Sequence, residues 1–408
     1  MQQRGMVIVG AGQTGGRAAL TLREQGYDGR IVLIGDEPAP PYERPPLSKA
    51  FLTGKAEAAA FTFAAEDALR KAGIELRAPA RAAAIDRGRQ EIVLAGGERI
   101  PYDRLLLATG RAARRLPLAP AVADRVHYLR TLADADRLKQ GLARGGDLVV
   151  IGGGFIGLEV AASAVALGCR VTVVELAPRL LARAVPVPLA EIVAARHRAA
   201  GVELILNATV RALGVAEGGG LRVELLDGRV LAADHVLAGI GAVPRDRLAA
   251  EAGLPVDGGI VVDAMLATSD PMIFAAGDVC AFPCGNGGLA RLEAWKNADA
   301  QGALAARNML GAGEAYRELP WFWSDQYELT LQVAGWPERG ARLVERSVPG
   351  GRLLFHLDAA ARLVGVSSIG PASVAKEVLL ARMLLERGLS PAAAQLADPA
   401  QKLKALLR

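Results

Sequence analysis

Two glycine-rich fingerprints constrain the fold of this chain more than any other feature. They are Gly10-Ala-Gly12-Gln-Thr-Gly15 and Gly152-Gly-Gly154-Phe-Ile-Gly157. Each follows an apolar run typical of a buried strand and precedes a helical pattern, the context in which this motif binds a dinucleotide pyrophosphate. Two such units in one chain predict two dinucleotides, with hydride passing from one to the other.

Each unit continues into a second predicted strand that ends in acidic residues. Glu175 follows Gly152 by about 20 residues, the separation at which a carboxylate can accept hydrogen bonds from an adenosine ribose. Because this carboxylate would repel a 2′-phosphate, it favours NADH over NADPH, although Arg179 and Arg183 nearby keep NADPH open as a minor donor. In the first unit the corresponding acid is Asp36 or Glu37, and strand register alone does not choose between them.

The order of predicted elements indicates an α/β protein with two Rossmann-like units and a separate C-terminal α+β region. The apolar runs 104–110 and 235–241 are alike, so the two units look like halves of an internal duplication. In the C-terminal region, a Trp-rich break at 320–324 comes first and helices near 373–387 and 399–407 come last. Between them, short runs bounded by Gly and Pro predict an antiparallel sheet: 329–333, 341–348, 352–357 and 362–367.

Composition excludes several classes of function. The net charge of +5 is small for 408 residues, and no basic cluster is interleaved with aromatics, which argues against nucleic acid. The apolar stretch 148–168 contains five glycines, so strand, turn and helix explain it better than a membrane span. We therefore expect no membrane association and a cytoplasmic protein. Three cysteines without a CxxC pair and four histidines without ligand spacing predict no bound metal.

Three other features have both a structural and a functional interpretation. Ser48 and Lys49 close a proline-rich run and by spacing alone look like a capping turn with a solvated charge. Asp278 follows an apolar strand and could bind a ribityl hydroxyl or cap the next segment. Trp295, Trp321 and Trp323 could pack in a core or between domains, or could shield a flavin and offer electrons a way out.

Taken in order along the whole chain, these motifs resemble the ferredoxin reductases of oxygenase systems. The runs that carry the resemblance are residues 10–15, Arg44-Pro-Pro-Leu-Ser-Lys49, Ala108-Thr-Gly110, residues 152–159, Gly277-Asp278 and Pro320-Trp-Phe-Trp-Ser-Asp-Gln326. The resemblance implies a glutathione-reductase-like fold. It also implies an FAD-binding domain over 1–112 and 236–318, an NAD-binding domain over 113–235 and a C-terminal α+β domain over 319–408.

The resemblance also implies a set of site residues. It selects Asp36 over Glu37 as the acid of the first unit. The implied FAD contacts are Gly10, Gly12, Thr14, Gly15, Asp36, Arg44, Lys49, Ala80, Arg130, Gly277, Asp278 and Trp295. The implied NAD contacts are Gly152, Gly154, Ile156, Gly157, Glu159, Glu175, Arg183 and Gly241.

Four of the residues that the resemblance singles out are expected to serve the chemistry. Lys49 would supply positive charge beside the flavin, and Glu159 would pair with Lys49 and help to place the nicotinamide. Trp295 would lie near the flavin ring, and Trp323 would belong to the aromatic group through which electrons leave. Hydride transfer between two rings needs proximity and orientation more than a protein acid or base.

The electron acceptor is expected to be another protein. Cys169, the first cysteine, falls on the predicted helix of the second unit, so no thiol lies early in the chain to relay electrons. The family implies a small 2Fe–2S ferredoxin that docks transiently on a monomer or weak dimer and supplies a Rieske dioxygenase or a cytochrome P450. Alternatives are an NADH oxidase, an NADH:quinone reductase, or a redox-responsive binding protein similar to apoptosis-inducing factor.

Overall fold

A computed structural model describes residues 4–117, 120–284 and 288–408. The described part of the chain divides into two compact units. Unit 1 comprises Met1–Pro46, Ala56–Ala113 and Ala242–Glu318, and unit 2 comprises Leu47–Lys55, Arg114–Gly241 and Leu319–Arg408. The domain boundaries expected from the resemblance remain a prediction.

The strands of the described residues are listed here in chain order. They are β1 (Gly5–Val9), β2 (Arg30–Ile34), β3 (Ile74–Arg77), β4 (Ala82–Asp86), β5 (Glu91–Leu94), β6 (Arg99–Pro101), β7 (Arg104–Leu107), β8 (Arg111–Ala113), β9 (Val126–His127), β10 (Gly146–Ile151), β11 (Cys169–Val174), β12 (Glu203–Ile205), β13 (Val210–Val215), β14 (Leu221–Leu225), β15 (Val230–Ala233), β16 (His235–Ala238), β17 (Ala242–Pro244), β18 (Ile260–Val261), β19 (Ile273–Ala275), β20 (Cys280–Pro283), β21 (Leu289–Ala290), β22 (Trp321–Gln326), β23 (Leu329–Gly335), β24 (Arg342–Val348), β25 (Gly351–Leu357) and β26 (Leu363–Gly370).

The helices of the same residues follow in chain order. They are α1 (Gln13–Glu24), α2 (Glu66–Lys71), α3 (Pro120–Ala123), α4 (Leu132–Leu142), α5 (Phe155–Ala166), α6 (Val187–Ala199), α7 (Arg247–Glu251), α8 (Trp295–Met309), α9 (Ala375–Glu386) and α10 (Ala393–Ala397). Short 3-10 helices lie at Pro45–Ser48, Ala58–Phe61, Gly277–Val279, Pro337–Arg339, Ala372–Val374 and Leu403–Leu407.

Unit 1 is organised around a parallel sheet in the order β19-β7-β1-β2-β3. All residues of β1 are buried, as expected for the central strand of a sheet covered on both faces. The chain leaves β1 at Gly10 and returns through α1 to β2 on one side, whereas β7 lies on the other. The first fingerprint therefore sits at the point where strand order reverses, which is where open α/β sheets bind ligands.

Unit 2 repeats this arrangement with a parallel sheet in the order β12-β11-β10-β16-β9. The second fingerprint follows β10, again between neighbours on opposite sides. A separate antiparallel sheet in the order β22-β23-β26-β25-β24 forms the C-terminal region. Leu331, Leu354 and Ile369 from that sheet share one hydrophobic core with Leu158 of α5. The predicted α/β class with two Rossmann-like units and a C-terminal α+β region is confirmed.

Three local predictions were wrong. The Trp-rich segment at 320–324 is not a break, because Trp321–Gln326 forms the edge strand β22, in keeping with the strand preference of aromatic residues. The helix expected over 399–407 is instead the 3-10 helix Leu403–Leu407, and α10 (Ala393–Ala397) precedes it. Cys169 begins β11 rather than lying on the helix, and it is buried.

The stretch 148–168 consists of strand, fingerprint turn and helix α5, as its glycines predict. Among the helices of the described residues, none is long and apolar enough to cross a membrane.

A buried histidine in the C-terminal sheet makes stability depend on pH. His356 is 4% exposed, and its Nε2 lies 2.9 Å from Ser367 Oγ. Burial lowers the pKa of His356 from 6.5 to about 4. Between these values the unfolded chain binds a proton that the folded chain does not, so stability falls as pH decreases from 6.5 towards 4.

By pH 4, the burial of His356 lowers the free energy of unfolding by about 3 kcal/mol, because each unit of pKa shift corresponds to about 1.4 kcal/mol. We expect His356→Gln to flatten the pH dependence of urea unfolding between pH 6.5 and 4 relative to the original protein. The difference between the two curves isolates the histidine from the acidic groups that titrate in the same range. Parallel curves would contradict a neutral, buried imidazole.

Candidate functional site

The first fingerprint forms a cradle that only glycine permits. Gly10 has φ +116°, and a Cβ there would overlap the carbonyl of Ala108, while a Cβ on Gly15 would overlap the carbonyl of Gly10. Gly12 caps α1 without a side-chain hydrogen bond, and among the described atoms a Cβ there would meet only Arg44 Nη2, at 3.9 Å. The first N–H groups of α1 have no partner within the helix, and the cap glycine leaves space beside them, an arrangement that suits a pyrophosphate.

The N-terminal turn of α1 is braced by two other segments of unit 1. Thr14 is 6% exposed, and Gly277, with φ +80°, lies so close that a Cβ would overlap the Thr14 hydroxyl. Gln301 on α8 accepts a hydrogen bond from the N–H of Gly277 at 2.7 Å. Asp278 follows within the 3-10 helix Gly277–Val279, and Trp295 is the first residue of α8. The fold thus gathers the fingerprint, Gly277-Asp278 and α8 at one edge of the sheet.

The two candidate acids after β2 have different surroundings. Glu37 accepts hydrogen bonds from Arg44 at 2.8 Å and from the Tyr42 hydroxyl at 2.6 Å. Asp36 is half exposed and pairs with Arg245 at 2.6 Å. Burial alone would lower the pKa of Arg44, but the nearby Tyr42 and Glu37, and Asp278 after them, raise it. Glu37 is therefore engaged by its neighbours, and Asp36 is the more accessible carboxylate.

Ala80 lies beside the end of β2, where its N–H donates a hydrogen bond to the carbonyl of Gly35 at 2.6 Å. Arg130 lies in unit 2 immediately before α4, and its backbone N–H donates to Asp134 at 3.2 Å. Lys49 and Trp323 also belong to unit 2, whereas the fingerprint, Asp278 and Trp295 belong to unit 1.

The second fingerprint repeats the cradle in unit 2. Gly152 has φ +107°, and a Cβ there would lie 2.5 Å from the carbonyl of Gly239, while a Cβ on Gly157 would overlap the carbonyl of Gly152. Gly154 caps α5, and no described atom would lie within 4 Å of a Cβ at that position. Ile156 is 45% exposed, and Gly241 is exposed with φ +102°. The space above this helix end is again open.

Glu175 is fastened to the fingerprint by backbone hydrogen bonds. Its carboxylate accepts from the N–H of Gly153 at 2.5 Å and from that of Ala177 at 2.7 Å. Arg179 donates to the carbonyls of Ala182 and Val185, at 2.8 and 2.9 Å, so its guanidinium holds the following loop together. Arg183 is exposed. Arg179, one of the two arginines that kept NADPH open as a donor, therefore has a structural role that its position in the sequence could not reveal.

A buried carboxylate on α5 accepts contacts from three side chains of unit 2. Glu159 is 4% exposed, and its oxygens accept from Ser48 Oγ at 2.5 Å and Ser324 Oγ at 2.6 Å. Lys49 Nζ lies 2.9 Å from the same carboxylate, so the predicted pair of Lys49 and Glu159 is present. One turn later on the helix, Ser163 Oγ donates to the carbonyl of Ser48 at 2.7 Å, which fastens the 47–55 segment to α5.

Sequence reasoning missed the two serines that complete this cluster. Ser48 is not a helix cap, because it ends the 3-10 helix Pro45–Ser48 and donates its hydroxyl to Glu159. Ser324 lies on β22, in the segment that was expected to be a break. The available signal was the spacing of Glu159 and Ser163, which places two polar groups on one face of an otherwise apolar helix.

The tryptophans of β22 lie against each other. Trp321 and Trp323 are stacked with ring centroids 5.1 Å apart and an interplanar angle of 21°. Trp323 Nε1 donates to Asp325 at 3.1 Å, and Arg382 lies over the Trp321 ring at 4.8 Å. The two rings form a half-buried aromatic surface at the edge of the C-terminal sheet.

Two of the thiols are unsuited to redox exchange. Burial, followed by the nearby charge of Asp278, raises the pKa of Cys280 to about 12. Burial also raises the pKa of Cys169. Because the thiolate is the reactive form, neither side chain is primed to attack a disulfide at neutral pH.

Comparison with known proteins shows which family the chain resembles over most of its length. Residues 4–302 match the family model for pyridine nucleotide-disulphide oxidoreductases, and residues 321–407 match the model described as reductase C-terminal. The chain is 44% identical over 409 residues to the anthranilate 1,2-dioxygenase system ferredoxin–NAD(+) reductase component of Burkholderia cepacia, with 98% of each chain covered.

Two solved structures resemble the whole chain. One is the ferredoxin reductase for the CYP199A2 system from Rhodopseudomonas palustris, with a TM-score of 0.94, 38% identity and 100% of each chain covered. The other is a chain of the covalent putidaredoxin reductase–putidaredoxin complex, with a TM-score of 0.94, 36% identity, and 100% of this chain and 99% of that chain covered.

Proposed function

We propose, from the premise that the chain belongs to the pyridine nucleotide-disulphide oxidoreductase family, that it is an NADH-dependent ferredoxin reductase of an oxygenase system. It passes hydride from NADH to FAD and then single electrons to a small 2Fe–2S ferredoxin, which supplies a Rieske dioxygenase or a cytochrome P450. The observation that carries the proposal is the pair of open, glycine-capped helix ends, one in each unit, at Gly12 and Gly154.

The residues of unit 1 fit FAD. The open N-terminus of α1 would hold the pyrophosphate, Thr14 would lie beside it and Asp36 would receive the ribose hydroxyls. Asp36 suits that task better than Glu37, because Asp36 stays half exposed beside Arg245, whereas Arg44 and Tyr42 enclose the Glu37 carboxylate. When bound, FAD supplies the chemistry that accepts a hydride and releases electrons one at a time.

The residues of unit 2 fit NADH. Gly154 and Ile156 at the open end of α5 would receive the pyrophosphate, with Gly241 alongside. Glu175 would accept hydrogen bonds from the adenosine ribose, and backbone N–H groups of Gly153 and Ala177 already hold its carboxylate in position. Glu159 keeps Lys49 in place through their contact at 2.9 Å. For hydride transfer the protein contributes charge and orientation rather than a nucleophile.

Glu175 is expected to set the preference for NADH. In Glu175→Gln the amide no longer repels a 2′-phosphate but can still accept one backbone hydrogen bond. We expect the ratio of kcat/KM for NADH to that for NADPH to fall about tenfold, equivalent to about 1.4 kcal/mol. Steady-state kinetics with both nucleotides measures this ratio.

Arg183→Gln serves as the matched control for Glu175. Because Arg183 is exposed and follows Glu175 closely in sequence, its loss should lower the use of NADPH more than that of NADH. An unchanged ratio in Glu175→Gln would contradict the assigned role of the carboxylate.

The proposed function is tested by following the flavin through both half-reactions. Protein purified with FAD is mixed anaerobically with NADH, and the reduced protein is then mixed either with an oxidised 2Fe–2S ferredoxin or with oxygen. We expect rapid bleaching of the flavin by NADH and reoxidation much faster with ferredoxin than with oxygen. If oxygen were the faster acceptor, an NADH oxidase would replace the ferredoxin reductase.

A further inference from the structure

A chain of buried hydrogen bonds leads to Glu159 from a histidine on another helix of unit 2. His197 Nε2, on α6, lies 2.8 Å from Gln326 Oε1, and Gln326 Nε2 donates to Ser324 Oγ at 3.0 Å. Ser324 Oγ in turn donates to Glu159 at 2.6 Å. His197, Gln326, Ser324 and Glu159 are 0%, 5%, 1% and 4% exposed, so bulk water does not compete for these bonds.

The direction of donation along this chain follows from the carboxylate at its end. A carboxylate only accepts, so the single hydroxyl proton of Ser324 goes to Glu159. Ser324 Oγ must then accept from the amide nitrogen of Gln326, which turns the amide oxygen towards His197. His197 therefore carries its proton on Nε2, and its Nδ1 can accept from the Tyr327 hydroxyl at 3.3 Å.

The surroundings of His197 favour this single tautomer. Burial, partly offset by the hydrogen bond to Gln326 and reinforced by Arg196, lowers the pKa of His197. The charged and titratable groups around it are Arg196, which pairs with Glu328 at 2.7 Å, and Tyr327. The imidazole is therefore neutral at neutral pH, with one N–H to donate.

The hairpin turn between β22 and β23 is shaped to cover this histidine. Gln326 and Leu329 pair across the strands, so Tyr327 and Glu328 form the turn. Tyr327 has φ +57°, a conformation that Asn or Gly adopts more easily. Its ring nevertheless packs edge-on against His197 at 5.1 Å, with Arg196 over it at 4.0 Å. A turn that only joined two strands would not need this aromatic residue.

We infer that His197 is a positioning residue for Glu159, acting through Gln326 and Ser324 to keep the Ser324 hydroxyl directed at the carboxylate. The inference rests on the proposed function, in which Glu159 holds Lys49 and helps to place the nicotinamide. It adds to that function a positioning residue on α6, joined to Glu159 by hydrogen bonds through two residues of the C-terminal sheet.

Loss of the donor at His197 has a definite consequence. The oxygen of the Gln326 amide would be left buried without its donor, a costly state that rotation of the amide relieves. After rotation, the oxygen faces Ser324 and accepts its hydroxyl proton. Glu159 then loses the donor on one oxygen, and among the described residues Ser48 and Lys49 remain on the other.

The test compares variants that break this chain at different members. His197→Leu removes the donor, His197→Gln restores an N–H in a side chain of similar reach, and Ser324→Ala removes the last member. If His197→Leu does not fold, Gln326→Met breaks the chain one step later without adding charge. All variants are examined as the FAD-loaded full chain.

The first readout needs no turnover. The infrared carboxylate band of Glu159, identified by its loss in Glu159→Gln, is expected to shift in the same direction in His197→Leu and Ser324→Ala and to stay in place in His197→Gln. The second readout is flavin reduction by NADH in stopped flow. We expect the rate constant at saturating NADH to fall about tenfold in His197→Leu and in Ser324→Ala, as for one lost hydrogen bond to a charged group. The dissociation constant of NADH should change less than about twofold in both variants.

An unmoved band in His197→Leu together with a shifted band in Ser324→Ala would overturn the inference and leave the proposed function standing. A slower reaction in both His197→Leu and His197→Gln, with the band in place, would reduce His197 to a packing role and would also overturn it. If the unaltered protein were not reduced by NADH at all, the proposed function would fail, and the infrared comparison would still decide whether His197 positions Glu159.

Discussion

Gly15→Ala is expected to yield protein that no longer retains flavin, whereas Gly157→Ala is expected to retain flavin that NADH reduces poorly. The two glycines occupy equivalent positions, and at each a Cβ would overlap a carbonyl of the same fingerprint, that of Gly10 or of Gly152. The turn must then open, which displaces the N–H groups that face the pyrophosphate. Because these contacts orient the whole dinucleotide, we expect losses of about 100-fold or more in affinity or rate.

The measurement is the visible flavin spectrum after gel filtration, followed by the rate of anaerobic bleaching by NADH. Gly96→Ala, in the β5–β6 hairpin, is the matched control, because no described atom would lie within 4 Å of its Cβ and its backbone is not left-handed. Loss of flavin from Gly157→Ala with retention in Gly15→Ala would show that the two cradles had been assigned to the wrong cofactors.

Glu159→Gln is expected to have the second largest effect. The variant keeps the shape of the side chain but removes the negative charge that lies 2.9 Å from Lys49 Nζ, in a site where the lysine side chain is 22% exposed. Breaking a largely buried pair by removing one member costs about 3 kcal/mol. We expect flavin reduction by NADH to slow about 100-fold, because Lys49 is no longer held in position.

Urea unfolding and stopped-flow reduction measure the two effects of Glu159→Gln separately. Glu191→Gln, an exposed change on α6, is the control and should alter neither. In a double-mutant cycle with Lys49→Met, the combined variant should be less destabilised than the sum of the single variants by about 1–3 kcal/mol. Additive effects would mean that Lys49 and Glu159 do not depend on each other.

Local patterns predicted the cradles and much of the sheet structure correctly, because these features depend on short stretches of chain. Gly10 and Gly152 need left-handed backbone, and glycine at that spacing reports this directly. Apolar runs such as Leu105–Leu107 are buried because parallel strands are covered on both faces. The prediction for the Trp-rich segment was wrong, since Pro320 suggested a break and the partner strand that makes Trp321–Gln326 an edge strand is not evident from a short stretch of sequence.

Contacts between distant parts of the chain could not be predicted from spacing. Ser48 and Ser324 lie far apart in sequence, and only the folding of unit 2 brings both hydroxyls to Glu159. The same holds for Arg179, whose charge suggested phosphate binding until its hydrogen bonds to loop carbonyls became visible. Polar side chains such as these have several possible partners, and the pairing is chosen by which backbone segments pack together.

The sequence by itself determined that this chain builds two dinucleotide cradles, because a turn that approaches a pyrophosphate tolerates only glycine at fixed spacing. It also determined, through resemblance, the pairing of Lys49 with Glu159. Only the tertiary structure decided which acid after β2 stays accessible and which neighbours hold Glu159 in its buried site. Those outcomes depend on desolvation and hydrogen-bond geometry, which exist only once distant segments have come into contact.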